Sequence, residues 1–160
     1  MIARVVAGLG ILTLLAGCGV TIPTDPEDTL EDVRGGVLRV GVSTDPPWTE
    51  EAPDPGGSGP AGIEPQLVRD FAASLGAEVE WTRGGEADLV DQLHRDELDL
   101  VVGGLTTTSP WAAHATLTYP YAEATGPEGA TELHVMAVQT GENAFLVELE
   151  RFLLGQEVSP

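Results

Sequence analysis

Runs of two different hydrophobic periods alternate between Val37 and Leu154, and this alternation limits the fold more than any other feature of the chain. Val37–Val42 (Val-Leu-Arg-Val-Gly-Val) is a short β-rich run that follows Gly35-Gly36. Leu67, Val68, Phe71 and Leu75 then recur at helical spacing and predict a helix over 66–75, with Gly76 as its C-cap. Val79 and Trp81 alternate with polar residues in a strand over 78–82. Leu89, Val90 and Leu93 place a helix over 86–95, and 98–102 is a nearly continuous apolar run of the kind found in buried parallel strands. An extended piece at 116–121, a strand at 132–138 and a helix at 143–154 (Phe145, Leu146, Leu149, Phe152, Leu153) complete the series. Strands and helices in alternation predict an α/β domain with a mainly parallel sheet flanked by helices in three layers. Such sheets bind ligands beyond the carboxyl ends of their strands. Here those ends are 43–48, 83–86 and 103–108.

The first 17 residues read as an export signal. Arg4 precedes an apolar run at 5–16 that is too short to span a membrane, and Leu15-Ala16-Gly17-Cys18 places a cysteine directly after a small-residue cleavage site. Cys18, the sole cysteine, is therefore the expected lipidation site, holding the chain to a bacterial membrane through acyl chains. Residues 18–35, rich in proline and acids, read as an acidic tether. Residues 36–154 form the expected domain, and 155–160 a tail.

The chain carries 26 acidic residues against seven arginines and no lysine, a formal net charge of −19. A surface of that sign repels phosphate backbones and anionic headgroups, so nucleic-acid binding is excluded and membrane contact is expected through the lipid anchor alone. A saline habitat and a GC-rich genome both fit the composition. Arginine bias accounts for the missing lysine but not for the acids. Catalysis finds no support. His94, His114 and His134 lie far apart, none at metal-ligand spacing to another, and with Cys18 lipidated no thiol nucleophile remains. No metal or cofactor is expected.

Four stretches carry a resemblance. Residues 36–48 (Gly-Val-Leu-Arg-Val-Gly-Val-Ser-Thr-Asp-Pro-Pro-Trp), 62–72 (Gly-Ile-Glu-Pro-Gln-Leu-Val-Arg-Asp-Phe-Ala), 96–110 (Asp-Glu-Leu-Asp-Leu-Val-Val-Gly-Gly-Leu-Thr-Thr-Thr-Ser-Pro) and 117–121 (Leu-Thr-Tyr-Pro-Tyr) resemble, in that order, the first lobe of the family-3 extracellular solute-binding proteins. These are type II periplasmic binding proteins that serve ABC importers of polar amino acids. The resemblance implies that backbone N–H groups and hydroxyls around Gly104, Thr106 and Thr108 hold a ligand carboxylate, as an anion nest does. Trp111 falls where the family usually has an arginine, so the guanidinium of that site is replaced by an uncharged indole. Trp48 matches an aromatic that packs on the ligand, and Glu86 falls near the position of a second. Asp45 lies three residues before Trp48. Aromatic faces beside carboxylates suit a cation. The plainer alternative is that both indoles merely cover surface exposed by a missing lobe, on a generally acidic face. Glu64 stands where the family has an aspartate, and is read as a structural residue that caps or orients the first helix.

In two-lobed relatives the chain crosses to a second lobe after the position of Tyr121. Here residues 122–131 (Ala-Glu-Ala-Thr-Gly-Pro-Glu-Gly-Ala-Thr) replace it, and ten residues make a turn but not a lobe. The resemblance thus implies a lipid-anchored, extracytoplasmic substrate-binding component of an ABC-type importer, taking an amino acid or a related small polar or cationic solute and partnered by a permease. The alternatives are a single-lobe accessory or sensory module that engages a protein partner, and a truncated remnant without function.

Overall fold

The computed structural model describes residues 24–51, 59–126 and 129–158. The export signal, Cys18 and most of the proline-rich stretch before Gly59 lie outside the described residues.

The first helix, α1 (Thr29–Val33), falls inside the segment expected to be a tether. That expectation is corrected for residues 24–35. Leu30 and Val33 are buried in the core. The Asp25 carboxylate accepts the backbone N–H groups of Leu30 (3.0 Å), Ala144 (2.5 Å) and Phe145 (3.0 Å). In return the Glu142 carboxylate accepts from the N–H groups of Glu27 (3.2 Å) and Thr29 (3.3 Å). Each acid caps the start of a helix far away in sequence, satisfying amide donors that a helix leaves unpaired at its first turn. The tether reading rested on composition, and composition does not report a cap supplied from more than a hundred residues away.

Five strands form the main sheet: β1 (Val37–Val42), β2 (Glu78–Arg83), β3 (Leu100–Val102), β4 (Thr116–Leu117) and β7 (Ala137–Val138). Their order is β2-β1-β3-β7-β4. β1 runs parallel to β2 and β3, whereas β7 is antiparallel to β3 and β4. The remaining helices are α2 (Ile63–Ser74), α3 (Glu86–His94) and α4 (Asn143–Leu153). The expected α/β class with a mainly parallel sheet is what the chain adopts.

The side chains of β3 explain its unbroken apolar run. Leu100 and Val102 point into a core shared with α1, α2 and α4, while Val101 points into a second core with Leu89, Val90 and Leu93 of α3. A strand alternates faces at every residue, so one covered on both sides is apolar throughout. On α4, Phe145, Leu149 and Leu153 are buried in the core it shares with α1 and α2, each contributing about 1.5–3 kcal/mol. Beyond α4, Val158 also packs on this core, so the expected tail folds back at least that far.

The strand expected over 132–138 is two strands in different sheets. β5 (Ala122–Thr125) and β6 (Thr131–His134) form a separate antiparallel hairpin, with Ala122 opposite His134 and Thr125 opposite Thr131. The chain then passes through Val135 and Met136 into β7 of the main sheet.

Candidate functional site

The carboxyl ends of β1, β2 and β3 meet at one edge, as the strand pattern requires. A tight loop follows β1, closed by mutual backbone bonds of 3.0 Å between Asp45 and Thr49 and by the Thr49 hydroxyl, which donates to the Ser43 carbonyl. The loop aims Asp45 at Gly104. A Cβ built on Gly104 would stand 1.8 Å from Asp45 Oδ2. Only glycine admits that approach, and its φ of +67° is one that other residues adopt at a cost.

The loop after β3 does not present a free anion nest. The Gly104 N–H donates to Glu64 Oε2 at 3.0 Å, the Thr106 N–H to Ser109 Oγ at 3.0 Å, and the Thr107 N–H to the Leu133 carbonyl of β6 at 3.0 Å. The Thr106 and Thr108 hydroxyls bond each other at 2.9 Å on the exposed side. The expected carboxylate seat is thereby corrected. Its amide donors at positions 104, 106 and 107 are engaged within the chain, and the Asp45 carboxylate lies over Gly104, where a second anion would be repelled.

Trp48 is corrected as well. It is 4% exposed, its ring stacked on His134 (centroids 3.7 Å apart, 24° between planes) and edge-on to Tyr121. No face is left for a ligand, because the hairpin brings His134 onto the indole. Trp111 belongs to the other side of the sheet. It packs toward the core of α3, and its Nε1 donates to Glu86 Oε2 at 2.7 Å. Trp48 and Trp111 therefore form no aromatic sandwich. Trp111 also lines a 290 Å³ groove along α3 with Asp88, Asp91, His94 and His114.

Glu64 does more than orient its helix. It is fully buried on α2, with Tyr121 Oη donating to Oε1 at 2.7 Å and Gly104 to Oε2. Burial pushes its pKa up to about 7, against the pull of the donors from Tyr121, Gly104 and Gly103. The carboxylate thus joins the loop after β3 to Tyr121, the last residue before the hairpin. A sequence signal for this exists, since Glu64 falls on the same helical stripe as Leu67, Val68 and Phe71.

Two residues absent from the sequence-based site lie close to it. Partial desolvation raises the Asp45 pKa. His134 opposes this, and the negative charges of Glu86 and Glu132 add to it. Glu86 and Glu132 thus each add negative charge around Asp45. His134 is 1% exposed, and neither ring nitrogen has a hydrogen-bond partner. Burial lowers its pKa, with Glu132 and Asp45 pulling the other way. The sequence separates Glu132 and His134 from Asp45 by nearly ninety residues, and periodicity gives no sign of their meeting.

Comparison with known proteins places this geometry. A family model described as bacterial extracellular solute-binding proteins, family 3, matches residues 38–153. The membrane-bound lytic murein transglycosylase F of Vibrio cholerae is 37% identical over 101 residues, 61% of this chain. That of Vibrio parahaemolyticus is 35% identical over 98 residues, 60% of this chain. The match spans only 18% of either relative's length. Among solved structures, the arginine-bound form of domain 1 from TmArgBP superposes with a TM-score of 0.66 at 26% identity, covering 79% of this chain and 98% of that domain. An ancestral cationic amino acid solute-binding protein, AncCDT-1, shares the fold (TM-score 0.66, 15% identity, 79% and 92% covered). The near-complete cover of an isolated domain 1 agrees with a single first lobe. The chain belongs to the bacterial extracellular solute-binding proteins, family 3.

Proposed function

We propose that this protein is an extracytoplasmic binding module for a small cationic solute, an amino acid or a relative of one, working without catalysis as the substrate-binding component of an ABC-type importer and held at the membrane by lipid on Cys18. The observation that carries the ligand class is the Asp45 carboxylate, which lies over Gly104 at the sheet edge with the negative charges of Glu86 and Glu132 acting on it. The amide donors at 104, 106 and 107 are already engaged there. A cation relieves the mutual repulsion, and an anion adds to it. The arginine bound to the single domain of TmArgBP supports the view that one lobe suffices to hold such a ligand. Among the described residues no helix is long and apolar enough to cross a membrane.

An open lobe covers less of its ligand than a closed cleft, so the affinity expected is weak, about millimolar, or about 4 kcal/mol of binding. The test is a thermal-shift series on the purified chain with arginine, polyamines, betaine and glutamate. A ligand at a hundredfold excess over its Kd adds about 2.7 kcal/mol and raises the melting point. Stabilisation by cations that Asp45→Asn removes supports the reading. Stabilisation by glutamate but not arginine refutes it. A second reading, an accessory module for a protein partner, draws on the transglycosylase relatives, in which the matched region is a small part of a longer chain. A cooperative melt that no solute shifts would favour it.

A further inference from the structure

We infer that the outer edge of β5 is a docking strip for a protein partner, which adds an extended, basic segment of its own to the hairpin as a third strand. The inference goes beyond the solute reading and does not depend on it. Backbone geometry leaves this edge open. The Thr107 N–H donates to the Leu133 carbonyl at 3.0 Å and the Val135 N–H to the Leu105 carbonyl at 2.9 Å, so Leu133 and Val135 turn backbone groups to the loop after β3. Successive residues of a strand bond to opposite sides, so Glu132 and His134 bond across to Ala124 and Ala122, the residues that face them in the hairpin. The Gly126 N–H, which donates to the Ala130 carbonyl at 2.8 Å, keeps the same alternation. The N–H and C=O groups of Glu123 and Thr125 therefore point away from β6. Among the described residues no other segment takes them up.

The surrounding surface says what fits there. A groove of about 560 Å³ runs beside the start of the edge, between Pro120, Ala122 and Glu123 on one side and Gln156 and Glu157 on the other. Glu123 and Glu157 are the only charged residues that line it. Tyr119 adjoins Pro120, and Leu154 lies two residues before Gln156; their exposures are 70% and 62%, large for apolar side chains. Glu150 holds the two together: the Tyr119 N–H donates to its Oε1 at 2.7 Å, and the Leu154 N–H donates to its backbone carbonyl at 2.9 Å. A partner thus meets free backbone groups, an apolar foothold and negative charge in one place. Strand addition supplies affinity through main-chain bonds and specificity through alternate side chains. Tyrosine is a frequent energetic centre of protein interfaces. The glutamates select the sign of the partner. A second copy of this chain, with a formal net charge of −19, would bring the same glutamates to the edge twice over and is repelled. A basic segment is attracted.

Fluorescence anisotropy of dye-labelled octapeptides titrated with the purified chain tests this. One probe alternates lysine and valine, a second glutamate and valine, and a third lysine and proline. The third keeps the positive charge, but proline lacks the amide donor and does not lie in a ladder. The lysine–valine peptide should bind at least about 10-fold more tightly than either control. Tyr119→Ala should weaken that binding about 10-fold with an unchanged melting point, since the side chain is exposed and the backbone bond to Glu150 remains. Thr125→Pro removes an outward amide and should weaken it by a similar factor; if that variant fails to fold, Tyr119→Ala decides alone. Equal binding of the lysine–valine and lysine–proline peptides would show attraction by charge alone and overturn the inference. Binding that Tyr119→Ala leaves intact, or no binding at all, would overturn it too. A dimer in sedimentation velocity that the lysine–valine peptide does not dissociate would give the edge to a second copy, again against the inference.

Discussion

Glu64 should make the stability of this protein fall as pH rises through neutrality. The side chain is fully buried, and its pKa is raised from 4.5 to about 7. Below pH 4.5 the acid is neutral in both the folded and unfolded chain, so its contribution is fully present. Between pH 4.5 and about 7 the unfolded chain ionises first, and stability drops by about 1.4 kcal/mol per pH unit. The loss totals about 3 kcal/mol and is complete once the pH exceeds the folded pKa. Glu64→Gln removes the charge and keeps the bonds, since the amide oxygen accepts from Gly104 and the amide N–H₂ donates to Tyr121 Oη. Urea unfolding followed by tryptophan fluorescence, at intervals from pH 4.5 to 8.5, gives both curves. The other acids contribute equally to each, so the difference isolates position 64. The glutamine variant should gain about 3 kcal/mol on wild type across this range. Parallel curves would refute the argument. A variant that loses ground as pH rises would show that the donors from Tyr121, Gly103 and Gly104 outweigh burial.

Two other substitutions probe the scaffold around the site. Asp25→Ala should cost about 2 kcal/mol in urea unfolding, because it uncaps α4 and releases the Leu30 amide; an unchanged midpoint would mean that residues 24–35 are a tether after all. Gly104→Ala should cost about 1–3 kcal/mol, for its φ of +67° and for a Cβ placed 1.8 Å from Asp45 Oδ2. Calorimetry would show it as a lowered melting point, and a wild-type melt would argue that Asp45 does not lie over the loop.

The sequence by itself determined the order of elements, the α/β class, the edge where three loops meet and the family of the chain. These depend on hydrophobic period and local motifs, which each segment carries on its own: Leu100, Val101 and Val102 read as a two-sided strand before any partner is known. Tertiary structure decided what faces what. Trp48 and Trp111 were both placed beside the ligand, yet they pack into different cores, because the loop after β1 folds Trp48 onto His134 and Tyr121 while the turn at 110–113 sets Trp111 against α3. Asp25 looked like part of a tether until Ala144 and Phe145 arrived to use its oxygens. Glu132 and His134 were an ordinary alternation in a strand until the ten-residue connection folded β6 back onto the loop after β3. Contacts between residues some ninety to one hundred and twenty positions apart leave no mark on local period. They follow from how the strands cross over, and they set the charge and burial of the site.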